Sequence, residues 1–377
     1  MSFTLPQADY RIDVYNTAGV SQGRYENFLP LSYTRKVNAP GLLQFALSDT
    51  HRIAENIEDK WQVEVWRKPY GGDWSRELTG IWRVENWSYA ETAILELTCP
   101  GLMSILGWRE IAYYANTANR TKFTTRKAET IANTLVKYNA TTSGTTGDGR
   151  MRAAAGGYPF TGLTVEADGA TGNTFTGGFY CAWKNLLETL QDIAVVGGGD
   201  FDIVKTSSTA WQWRWYVGQL GTDRTTGSGR VVFSMANGNM ANPHYEVNRI
   251  DVKTVAIVAG QGEENDRDVS VVESDDYAAG NDIELFVGAT DIDKDDTDGL
   301  TSRGEEKLAE AREKPSFTFD VLQTGSAQYG VNYTLGDKVI AINPRSGAEI
   351  TMKIIGVTVG LDADGKESIE IDVEEMA

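Results

Sequence analysis

Apolar and polar residues alternate one for one in short runs near both ends of this 377-residue chain, and a period of two gives an apolar face to a strand but not to a helix. Gln62-Val63-Glu64-Val65-Trp66-Arg67 and Ile94-Leu95-Glu96-Leu97-Thr98-Cys99 carry the pattern in the N-terminal part. Between them Tyr70-Gly71-Gly72-Asp73 reads as a turn and Gly80-Ile81-Trp82-Arg83-Val84 as a restart of extended chain. At the other end, Lys338-Val339-Ile340-Ala341-Ile342 and Ile350-Thr351-Met352-Lys353-Ile354 read as strands, and the runs flanking Asp362-Ala363-Asp364-Gly365 as a hairpin. Antiparallel neighbours of this kind suit a barrel or sandwich, so the fold class is expected to be mainly β with a few helices.

The helices belong to the middle. After Pro100, Leu102, Met103 and Leu106, then Ile131, Leu135 and Val136, recur at spacings of three and four. The clearest helix is expected over Ala182 to Val196, with Trp183, Leu186, Leu187, Leu190, Ile193 and Ala194 on one face and Gly197-Gly198-Gly199 ending it. Between these helices, Thr141 to Gly178 is rich in Gly and Thr, offers little material for a core and reads as an exposed, mobile insertion. Strands return at Phe201-Asp202-Ile203-Val204 and at Trp211-Gln212-Trp213-Arg214-Trp215-Tyr216, where three indoles share one face. Ser302 and Glu305 have capping-box spacing before a polar helix that stops at Pro315.

A chain of this length is expected to form more than one packed unit. The reading divides it into a barrel-like N-terminal domain, 1–100, and a helical segment, 101–200, that carries the insertion at 141–178. A central β-rich region, 201–315, has the polar helix near 302–314. A C-terminal β segment, 316–377, completes a second barrel with parts of the preceding regions. The N-terminus lacks the basic flank and apolar centre of a secretory signal and no long apolar run occurs, so synthesis and folding in the cytoplasm are expected.

Chemistry has few footholds. The 53 acidic and 35 basic residues leave a net charge of -18, a poor match to tight nucleic-acid binding but compatible with a conduit along which DNA slides without being held. Cys99 and Cys181 lack CxxC spacing and read as buried thiols. The two histidines, His51 and His244, sit in no metalloprotease or nucleophile signature, and no GxSxG elbow or phosphate-binding GxxxxGKS loop is present. The acidic run Asp291 to Gly299 departs from a calcium loop, with Asp296 and Ser302 where Gly and Glu belong, and reads as a solvated loop. The three indoles of Trp211, Trp213 and Trp215 read as a half-buried sheet; a sugar-stacking platform would need them exposed. No catalytic, cofactor-binding or metal residue is assigned and no cofactor is expected. A cell-wall hydrolase or carbohydrate-binding protein is the alternative function, motivated by ten tryptophans and abundant carboxylates.

Several blocks, in order, resemble a known family. Leu186 to Ala194, Val217-Gly218-Gln219-Leu220-Gly221-Thr222-Asp223-Arg224-Thr225, Val231-Val232-Phe233-Ser234 and Gly238-Asn239-Met240 are similar to the central part of siphophage baseplate-hub and tail-tip proteins. Val258 to Glu263 with Arg267, Glu284-Leu285-Phe286-Val287 with Ala289 and Asp291, and Tyr329 to Val339 with its Leu-Gly-Asp strand entry extend the likeness. The resemblance implies two tail-tube-like barrel or sandwich domains with smaller α/β insertions, in a homotrimer at the tail tip of the virion. It implies distal tail or tube proteins above, fibre, spike or tip proteins below, contact with the tape-measure protein, and passing genomic DNA. It brings no catalytic residues, and the stretch from Thr141 to Gly178 has no counterpart in it.

Overall fold

The computed structural model describes residues 7–26, 30–48, 53–54, 57–89, 93–111, 121–144, 162–181 and 183–376. In chain order the first strands are β1 (Asp9–Tyr15), β2 (Ser21–Tyr25), β3 (Leu31–Lys36), β4 (Ala39–Ser48), β5 (Gln62–Lys68), β6 (Ser75–Ile81), β7 (Val84–Tyr89) and β8 (Ala93–Pro100). A 3₁₀ helix at Leu102–Trp108 is followed by β9 (Thr121–Phe123), β10 (Arg126–Lys127), α1 (Ala128–Ala140), β11 (Leu163–Val165), β12 (Thr174–Phe175) and β13 (Phe179–Cys181). Next come α2 (Leu186–Gly197), β14 (Gly199–Ser207), β15 (Ala210–Val217), β16 (Val232–Phe233), β17 (Met240–Asn248), β18 (Val255–Ala259), β19 (Val269–Glu273) and β20 (Glu284–Gly288). The chain ends with α3 (Thr297–Glu310), β21 (Lys314–Val321), β22 (Lys338–Ile342), β23 (Glu349–Leu361) and β24 (Glu367–Glu375). The protein is mainly β, as the alternation requires.

Contacts gather the chain into two units: residues 1–104, 219–246 and 315–377 make the first, 105–218 and 247–314 the second. In the first unit a ten-stranded sheet runs β17-β21-β24-β23-β3-β4-β8-β7, with β22 on β23 and β16 on β22, beside a four-stranded sheet β2-β1-β5-β6. The alternating runs behave as strands with one buried face: Leu95, Leu97 and Cys99 of β8 are buried while Glu96 points out. The two ends of the chain meet because β23 is long enough to pair with three strands, and its second half lies antiparallel to β3, with Leu361 opposite Leu31 and Gly356 opposite Lys36. The hairpin between β23 and β24 closes on Asp362, whose Oδ1 accepts from the Asp364 and Lys366 amides, and on Gly365 at φ 77°.

In the second unit α1 and α2 pack on each other. Asn185 caps α2, its Oδ1 accepting from the Leu187 amide at 3.0 Å, and Gly198 ends it in the left-handed region at φ 64°. Trp183 therefore lies before the helix and is 52% exposed, while Leu186, Leu190, Ile193 and Ala194 form the buried stripe. The helix starts at Leu186 and not at the expected Ala182, because the Asn185 side chain caps it, and Leu187 of the expected face is only half-buried. Of the Gly/Thr-rich stretch, residues 145–161 lie outside the described residues. The part that follows is structured: Leu163 is buried in β11, which runs parallel to β15, and Phe175 is buried in β12. Two apolar residues placed on strands suffice to anchor a segment whose composition suggests only loops. Helix α3 starts at the Asp296 cap, so Ser302 lies inside it instead of capping it. The Asp296 carboxylate takes the Gly299 amide at 2.9 Å and leaves no role for a capping box further on.

Candidate functional site

The residues that sequence reading weighed for chemistry do not converge. His51 lies outside the described residues. His244 is on β17 with its side chain 70% exposed, 3.7 Å from Glu246. Both thiols are buried and free, and burial pushes the Cys181 thiol up to about 12, far from a reactive thiolate. Trp211, Trp213 and Trp215 are buried in β15, with Phe201 stacked on Trp213 at 6.1 Å between ring centres, so they are core and offer no face to a sugar.

The acidic run is not merely solvated. Asp291 pairs with Arg303 at 3.0 Å and Asp293 with Lys122 at 2.7 Å, while Asp296 caps α3 and also accepts from the Tyr180 hydroxyl. Its carboxylates point to separate partners and fasten the start of α3 to β9 and β13. Arg303, nearly buried, adds a 2.8 Å bond to the Tyr180 carbonyl. Sequence spacing displays the acids and hides the bases that hold them, since Lys122 is 171 residues from Asp293.

One group of carboxylates does converge. Oxygen atoms of Asp192 on α2 and Glu306 and Glu310 on α3 all lie within 4.8 Å of one another, close enough to hold a metal ion. The Lys307 ammonium stands among them, 2.7 Å from Glu310, 3.3 Å from Asp192 and 3.9 Å from Glu306. A charged ammonium already supplies the cation that such a cluster needs, so this is an ion-pair clamp between two helices. Burial pushes the carboxyl of Glu306 up, and burial together with Asp192 raises that of Glu310 to about 7, with Lys307 opposing.

A second buried network lies in the first unit. Arg67 of β5, 1% exposed, bonds Glu367 of β24 at 2.8 Å and the Tyr329 carbonyl at 2.8 Å, while Tyr10 of β1 donates its hydroxyl to the same Glu367 carboxylate. The Tyr329 hydroxyl donates to Glu77 of β6 at 2.5 Å, and Arg35 of β3 reaches that Glu77 carboxylate at 3.2 Å and the hydroxyl at 3.0 Å. Burial raises the pKa of Tyr10 and Tyr329, keeping both hydroxyls as donors at neutral pH. Glu77 enters the network through a bulge: Val65 faces Leu78 and Trp66 faces Arg76, so Glu77 is the unpaired extra residue. The sequence signal was present but unread, because Arg67 takes the core-facing parity of Val63 and Val65. A charge at that parity demands a buried counter-charge. Arg35, Arg67, Glu77, Tyr10 and Glu367 lie on strands from the two ends of the chain, with Tyr329 between them. They make a rigid joint.

Among the described residues the main path of the ten-stranded sheet ends in β7 on one side and β17 on the other, and β7 pairs only with β8. Val84 and Tyr89 of β7 are 52% and 77% exposed, and Tyr89 stacks on Trp87 at 6.1 Å. Unpaired edge backbone is a template for another strand. Among the described residues no helix is long and apolar enough to cross a membrane.

Comparison with known proteins places this architecture. The structure is similar to a tail protein from Neisseria meningitidis MC58, with TM-score 0.57 and 11% identity over 98% of this chain and 97% of that one. It is similar to the 43 kDa tail protein of prophage MuSo2 from Shewanella oneidensis, with TM-score 0.54 and 13% identity over 96% and 98% of the two chains. A chain of the lidded Francisella PdpA-VgrG complex matches with TM-score 0.51 and 8% identity over 99% of this chain and 53% of that one. At these identities the likeness is one of fold. A search of curated proteins gave no match. The resemblance to siphophage tail proteins carried by the ordered blocks holds at the level of the family: residues 11–373 match one family over nearly the whole chain, and the protein belongs to the Siphovirus ReqiPepy6 Gp37-like family.

Proposed function

We propose that this chain is a structural tail protein, the hub that closes the tail tube of a long-tailed phage and joins it to the tip. The observation that carries the reading is the whole-length match in fold to two tail proteins of nearly the same extent. The first unit, which combines strands from both ends of the chain in one sheet whose main path ends, among the described residues, in β7 and β17, supports a role in assembly. In this reading three copies form a ring at the virion tail tip. Each contributes two tube-like domains, so that six similar surfaces meet a six-fold tube and three meet a three-fold tip. Distal tail or tube proteins bind above and fibre, spike or tip proteins below, and the tape-measure protein and then the genome pass through. A net charge of -18 suits a conduit that does not trap phosphates. The role is non-enzymatic. The competing reading as a wall hydrolase or carbohydrate binder loses one support, the row of indoles, with the burial of Trp211, Trp213 and Trp215.

Mass photometry of the purified chain, followed by electron microscopy with its tail partners, tests the reading. The expected result is a three-fold ring whose opening admits duplex DNA. Monomers alone, with no association to tube or tip proteins, would overturn it.

A further inference from the structure

The three-stranded sheet β19-β18-β20 of the second unit has two apolar faces, of which α3 covers one. Ala256, Val258, Val272 and Val287 point toward the helix and are buried with Leu300 and Leu308. The helix sits close at Gly304, where an added Cβ would come within 2.5 Å of Val272 Cγ2. Register fixes what lies on the other face. Ile257 of the central strand stands opposite both Val271 and Phe286, and Ala259 opposite Val269. Val269, Val271 and Phe286 are 56%, 64% and 65% exposed. A sheet with one wet face alternates apolar-in and polar-out; apolar residues on both sides are the pattern of a sheet covered on both sides. The apolar row ends in charge: Val255 faces Glu273 on one side and Glu284 on the other, both exposed on this same face.

We propose that this outer face docks an amphipathic, cationic segment of another protein, whose apolar side chains cover Val271, Ile257 and Phe286 and whose Lys or Arg reaches Glu273 and Glu284. Charge selects the occupant. A basic side chain set between Glu273 and Glu284, the exposed residues that flank Val255, meets two carboxylates at once, whereas an anionic lipid surface is repelled by both and by the chain's net charge of -18. A second copy of this chain would bring the same acids to the contact. The face is open along its two outer strands, at Val269, Val271 and Phe286, while Val255 and Ala259 of the central strand are buried. The inference stands on the second unit alone and does not depend on the hub reading.

The test uses the full chain and a fluorescein-labelled amphipathic peptide with leucines on one face and lysines beside them, read by fluorescence anisotropy. A peptide of the same pattern with glutamate in place of lysine is the control. Phe286→Asp and Val271→Asp are expected to weaken binding at least tenfold, although each adds a negative charge that would strengthen adventitious binding to an acidic protein. Glu273→Lys with Glu284→Lys is expected to weaken it to a similar degree, and the glutamate peptide not to bind. These four positions are exposed, and an unchanged thermal midpoint certifies each variant. Binding that Phe286→Asp leaves unchanged or strengthens overturns the proposal. So does equal binding of the glutamate peptide, or an assembly of the parent chain that Val271→Asp dissociates, which would make the occupant a second copy.

Discussion

Arg67 and Glu367 stand 300 residues apart in the sequence and 2.8 Å apart in the fold, with side chains only 2% and 7% exposed. The pair ties the N-terminal strands of the first unit to its last hairpin. Its value lies in being complete, because each partner alone would be a buried charge without compensation. Arg67→Met is expected to cost about 3–5 kcal/mol in guanidinium unfolding, and the double variant Arg67→Met with Glu367→Leu to recover most of that loss. A single variant as stable as the parent would show that the charges are not paired in the folded protein.

The clamp between α2 and α3 carries a pH signature. Glu310 has its pKa raised to about 7, first by burial, and Glu306 is raised by burial as well. A carboxyl whose folded pKa exceeds its unfolded value binds more protons folded than unfolded between the two, so stability falls as pH rises through that window. The loss runs from the ordinary carboxyl value of 4.5 to about 7. Glu310→Gln is expected to be more stable than the parent at pH 8, by about 1 kcal/mol once solvent screening and Lys307 are allowed for, and to show a flatter thermal midpoint between pH 5 and 8. Identical pH profiles for the two proteins would contradict the assignment.

Gly304 lets α3 approach its sheet. A methyl group there meets Val272 and Val258, both β-branched and stiff, at 2.5 and 3.1 Å. Gly304→Ala is therefore expected to destabilise by about 1–3 kcal/mol through overpacking, despite the better helix propensity of alanine. A gain in thermal midpoint would mean that the helix can shift without loss.

Calcium should find no loop to fill between Asp291 and Gly299, since Arg303, Lys122 and the helix cap already engage Asp291, Asp293 and Asp296. Calorimetric titration is expected to give no heat above the buffer blank. Asp296→Ala, by contrast, should cost about 1 kcal/mol through loss of the cap, with no dependence on calcium.

Local pattern was enough to find most elements. A two-residue period placed strands at 62–67 and 94–99, the Asp-Ala-Asp-Gly turn marked the last hairpin, and the spacing of Leu186, Leu190 and Ile193 marked α2. These signals are readable because backbone geometry, side-chain parity and turn chemistry act within a few residues. The burial of Trp211, Trp213 and Trp215, the bases that hold the acidic loop and the joint of Arg67 with Glu367 were settled by tertiary structure, since each depends on residues brought together from distant strands. The same holds for the outer face of the β19-β18-β20 sheet. Valines at 269 and 271 carry no local mark of being exposed, and only the choice of which sheet face α3 covers leaves them facing outward.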